Sequence, residues 1–212
     1  MEAALITPFV LLLFFGMIEF GLLLNRKLAV SDATREGARA AAALVPAAAG
    51  TTDDVTPALL ARIQTALAGY SPSNVNRIVI FDADSNGYPV STGTGANQAM
   101  TSDAGFKQIT SGSSNYCKLR CIYWTPRADN ASSWSAITKY GADWPLRSSN
   151  INGCLPTSAS NDKRTRIGVY IELSYTPLTP GLSQVIPDSD GTVKLGDKTL
   201  VRVEPTAGAS AC

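Results

Sequence analysis

The chain has 212 residues, with 18 Lys and Arg against 17 Asp and Glu for a formal charge of +1, and no histidine. No block of Lys or Arg is present to track a phosphate backbone, so a nucleic acid partner is not expected. The absence of histidine removes the commonest general base and the commonest neutral metal ligand. Gly-x-Ser-x-Gly elbows, Gly-rich phosphate loops and His-Glu-x-x-His helices are missing too. The composition therefore points away from an enzyme, and no cofactor is expected.

The first element is an apolar run from Ala3 to Leu24, broken only by Thr7, Pro8 and Glu19. It is long enough to cross a bilayer as a helix. A cleavable signal peptide fits poorly, because the run lacks a basic start and no small-residue cleavage site follows it promptly. A charge in hydrocarbon costs a few kcal/mol and is usually paired or functional, which singles out Glu2 and Glu19. Glu19 lies near the far end of the run, where it can sit at the membrane interface or pair with Arg26 or Lys27 of another chain. Glu2 becomes significant if the segment packs among copies of itself.

Beyond Leu24 the helical pattern continues to Pro46, its expected stop, giving a rod of about 65 Å. Every fourth residue along it reads Gly21, Asn25, Ala29, Ala33, Gly37, Ala41 and Val45. Such a stripe of mostly small side chains permits close helix-helix approach. Alanine is also the best helix former, which accounts for much of the same pattern. Arg26 and Lys27 would by the positive-inside rule place this end in the cytoplasm. A cysteine-bearing, turn-rich remainder argues instead for export, and a basic leader upstream of Met1 would reconcile the two.

A second helix is signalled by Thr56 as N-cap, Pro57 at the first position and Gly69 after the last turn, with Leu59, Leu60, Ile63, Ala66 and Leu67 on its buried face. Strands follow at Arg77 to Phe81, Cys117 to Trp124 and Arg166 to Tyr175. In the last of these Ile167, Val169, Ile171, Leu173 and Tyr175 alternate with more polar neighbours, so one face is expected on a core. Two short strands, Gly191 to Leu195 and Thr199 to Val203, read as a hairpin turning at Gly196-Asp197. The expected fold class is α+β: a long hydrophobic helix over residues 1–46, then a small domain over 47–212 in which the second helix packs on an antiparallel sheet.

Three features remain within that domain. Asp82, Asp84 and Asn86, followed by Gly87, begin like a calcium loop, but Gly93 stands where the bidentate Glu belongs. A hairpin turn at Asn86-Gly87 is preferred, and no metal is expected. Cys117, Cys121, Cys154 and Cys212 suit two disulfides, with three pairings open; a zinc site is disfavoured because only Cys117 and Cys121 are close in sequence. Trp134 and Trp144 lie in a polar stretch and either pack it down or form a recognition surface.

The run from Glu2 to Ala42, with Glu2, Pro8, Phe15 to Gly21 and Ala33 to Arg39 as its matching positions, resembles the N-terminus of TadE-like proteins of tight-adherence pilus systems. Gly168 to Leu182 and Leu200 to Pro205 are also similar. The resemblance implies a pilin-like structural protein, a minor pilin or pseudopilin, or a filament subunit. Its N-terminal helix would pack against other pilins, and its domain would lie outside the cytoplasmic membrane or on the cell surface. It further implies that Glu2 corresponds to the pilin glutamate that follows a cleaved leader and helps subunits register. Pro8, Glu19, Gly21, Ala29, Ala33 and Gly37 are the other candidate assembly positions. An anchored adhesin-like domain, with the helix as a mere tether, is the alternative.

Overall fold

The computed structural model describes residues 2–47, 56–84, 86–89, 106, 121–124, 166–178 and 191–202. The first element, α1 (Glu2–Ala47), is one unbroken helix. Pro8 removes a single backbone donor from its second turn without ending it. The helix runs through Pro46, its expected stop, to Ala47, beyond which the chain lies outside the described residues. Helix α2 (Thr56–Ala66) follows, closing through bonds from the Leu67 N–H to the Ile63 and Gln64 carbonyls at 3.0 and 3.1 Å. Leu59, Leu60, Ile63 and Leu67 are buried as the pattern predicts, whereas Ala66 is exposed.

Among the described residues, four strands form one antiparallel sheet: β1 (Val75–Asp82), β2 (Cys121–Trp124), β3 (Arg166–Tyr175) and β4 (Val193–Arg202), in the order β2-β1-β3-β4. On one face Ile78 and Ile80 of β1 and Ile167, Val169, Ile171 and Leu173 of β3 meet Val30, Ala33 and Ala41 of α1 and Leu59, Ile63 and Leu67 of α2. Each fully buried Leu or Ile in this layer contributes about 1.5–3 kcal/mol relative to exposure. This layer is the expected helix-on-sheet core.

Two expectations are corrected. β3 is buried on both faces, not one, because it lies inside the sheet and its second face carries a separate cluster of Val79, Phe81, Ala83, Phe106 and Tyr170. Phe106 stacks on Tyr170 at 4.2 Å between centroids. Phe81 lies so close over Gly168 that an added Cβ would fall 2.2 Å from its Cζ. Glu172, 1% exposed, is charge-paired with the Arg77 guanidinium at 3.3 Å and accepts from Tyr170 Oη at 2.9 Å and Asn76 Nδ2 at 3.2 Å. These partners offset the cost of burying a carboxylate.

The second correction concerns the C-terminal hairpin. Gly196-Asp197 is not a turn; it lies in the middle of the single strand β4, paired residue by residue with β3. Gly196 is needed there because the Tyr170 ring crosses it, leaving 2.5 Å between a notional Cβ and Tyr170 Oη. Asp197 faces α1, where Lys27 Nζ lies 3.4 Å from its Oδ1. Both residues have turn chemistry locally and tertiary reasons to be straight.

Candidate functional site

The chemistry-bearing part of the molecule is α1, whose two halves differ sharply. From Ile6 to Ile18 every residue is exposed, including Phe9, Leu12, Leu13, Phe14 and Met17. This helix is long and apolar enough to cross a membrane. From Glu19 onward one face of α1 lies against the domain. Val30, Ala33, Ala38 and Ala41 are buried.

The small-residue stripe divides at the same place. Gly21 is exposed, and a Cβ built on it would meet nothing within 4 Å. Ala29 is half-buried and Ala33 fully buried. Gly37 is also buried, and its notional Cβ would lie 2.8 Å from Ile63 Cγ1 and 3.3 Å from Val169 Cγ1. In the docked half, small residues let α1 approach its own α2 and β3. Pro8 and Gly21, by contrast, stay on the exposed surface.

Glu19 is held by partners that neither reading of the sequence named. Its carboxylate is 4% exposed and takes partners from its own domain, accepting from Tyr175 Oη at the end of β3. The Leu178 N–H, 3.1 Å from both Oε1 and Oε2, also donates to it. About two turns further along, the Arg26 guanidinium lies over the Tyr175 ring at 4.8 Å and the Tyr70 ring at 5.8 Å, within cation-π range. The Tyr175 phenol is pushed up to about 12, first by burial and then by its bond to Glu19 and the adjacent negative charge, with Arg26 pulling the other way. A carboxylate here thus has several strong bonds in place of water.

A second polar seam ties α1 to β4. Lys27 Nζ donates to the Gly196 carbonyl and faces Asp197. Thr34 Oγ1 lies 3.3 Å from Asp197 Oδ2 and 2.8 Å from the Ser31 carbonyl, and accepts from Thr199 Oγ1 at 3.0 Å. This seam and the Glu19 contacts fix the domain's position along the helix at two levels.

The remaining candidates fall as follows. Asp84 Oδ1 accepts the N–H groups of Asn86 and Tyr88 at 2.8 and 2.9 Å, and the Gly87 N–H donates to the Asp84 carbonyl at 3.1 Å. This is the tight turn read from Asn86-Gly87, with Gly87 at φ +80°. Its carboxylate is occupied in holding the loop, and no group of three or more metal-binding side chains occurs among the described residues. The side chains of Glu2, Asp82 and Cys121, all of Cys117, Cys154 and Cys212, and the Trp134 to Trp144 stretch lie outside the described residues. Sequence reasoning missed Tyr175 and Leu178 as partners of Glu19, and Phe106 as a core residue. The one signal for Phe106 was an isolated aromatic in an otherwise polar segment.

The described site is thus an apolar helix whose second half is docked on its own domain. Residues 1–39 match the family described as TadE-like protein, so the N-terminal part of α1 is TadE-like. That family is pilin-like and structural, not a family of enzymes. No curated protein and no solved structure gives a significant match to the chain.

Proposed function

We propose that this chain is a pilin-like structural protein of a tight-adherence pilus, acting as a minor pilin or pseudopilin. Its apolar N-terminal half is held in the cytoplasmic membrane as a single span before incorporation. The domain of residues 47–212 faces outside the cytoplasm and reaches the cell surface or pilus on assembly. The observation that carries this reading is the division of α1 into a wholly exposed apolar half and a half docked on its own sheet. Lipid covers the exposed half first, and the helices of other pilins cover it afterwards. Assembly works by packing and involves no bond-making step.

The docking of Ala33 and Gly37 on the chain's own domain supports a subunit contact over the surface that carries Pro8, Gly21 and the exposed Leu and Phe side chains. Glu2 is assigned the register role, because an unpaired charge within a bundle of apolar helices is costly and finds its partner in one alignment only. Substituting Glu2→Ala should abolish or strongly reduce piliation in the native host while membrane extraction of the chain stays unchanged. Normal piliation would overturn the role given to Glu2.

A further inference from the structure

The depth of Glu19 along α1 has a consequence for the domain. The apolar run from Ala3 to Leu24 measures about 33 Å at the helical rise, close to the roughly 30 Å of a bilayer's hydrocarbon. The first polar cluster beyond it is Asn25-Arg26-Lys27, which sets the headgroup level. Glu19 lies about 10 Å below Arg26 by the same rise. Yet Glu19 is bonded to the backbone of Leu178, so the chain that leaves β3 descends beside the helix to that depth.

The segment ends there on an apolar side chain. Leu178 is 71% exposed, alongside a helix surface that presents Ile18, Phe20, Leu22 and Leu24 outward. Directly above, Arg26 with Tyr70 and Tyr175 forms a collar of cation and aromatic rings, the composition favoured at a membrane-water boundary. We propose that the segment Thr176 to Leu178 is a second membrane contact, a loop that dips into the outer face of the bilayer beside the span and seats the domain directly on the lipid surface. This rests on the proposed span. Glu19 then serves as the buried acceptor that satisfies the Leu178 N–H, a backbone donor that would otherwise face lipid without a partner.

The test uses the full chain in phosphatidylcholine vesicles whose acyl chains carry bromine near the headgroup, with tryptophan emission as the readout. Three variants, Leu178→Trp, Phe20→Trp and Leu200→Trp, are compared with the parent chain, whose own tryptophans set the background. Leu178 holds Glu19 through its main chain and its side chain is exposed, so the substitution leaves that bond in place. Leu178→Trp should show blue-shifted added emission and a quenching loss comparable to Phe20→Trp, with Leu200→Trp unquenched. Quenching of Phe20→Trp without Leu178→Trp would overturn the loop contact and leave the span intact. Absence of quenching in both would overturn the span as well. Equal quenching of Leu200→Trp would show the domain lying in lipid without a specific loop contact, and would also overturn the proposal.

Discussion

At the scale of single residues, Glu19 and Tyr175 carry most of the specificity in how the helix meets its domain. Tyr175 donates to a buried carboxylate, and hydrogen bonds to charged groups are worth more than neutral ones. Removing the hydroxyl in Tyr175→Phe keeps the ring under Arg26 and should cost about 1–2 kcal/mol at neutral pH. The pH dependence follows from the same bond. With the phenol raised from 10.0 to about 12 in the folded state, its stabilisation is complete below pH 10. It declines as pH rises from there, because the unfolded chain gives up its proton first, and it is gone above about 12. Unfolding of the detergent-solubilised chain measured across this range should therefore show a steeper alkaline loss for the parent than for Tyr175→Phe. Parallel curves would contradict the assigned bond. None of this was legible in the sequence, where Glu19 and Tyr175 stand 156 positions apart and neither has a local reason to seek the other.

At the scale of elements, what could be read depended on whether the cause was local. The ends of α2 were set by Pro57 and by the turn before Gly69, and the five alternating residues of β3 gave its bounds, Arg166–Tyr175, without error. Gly168, Tyr170 and Glu172 looked like an outward face because their cover comes from Phe106, from Phe81 and from Arg77 on other elements. β4 was misread because Gly196 and Asp197 are turn formers in isolation, while here a ring and a lysine demand them. The small-residue stripe was legible as a packing surface, but its partner was not. That partner makes a clear prediction: Gly37→Leu drives a side chain into Ile63 and Val169 and should destabilise the domain by about 1–3 kcal/mol. Gly21→Leu, in open space, should change stability by no more than about 0.5 kcal/mol. Thermal unfolding of both variants in detergent checks the pair, and equal effects would show that the stripe does not divide where the structure divides it.

At the scale of the whole molecule, the chain combines two packing problems in one helix. The docked half is solved internally, by small residues, a buried core layer and the polar seams at Glu19 and Lys27. The apolar half is left for something else to cover, and an exposed apolar surface of that extent marks a membrane or a partner. A pilin-like role requires both in succession. The direct measurement is a photo-crosslinking residue at Leu13, which is 61% exposed, in the full chain in a pilus-forming host, comparing the membrane with the material sheared from the cell surface. The proposed function predicts lipid adducts in the membrane fraction and a covalent adduct to a second pilin-like chain in assembled material. Lipid adducts alone, with the chain confined to the membrane and absent from surface assemblies, would contradict it.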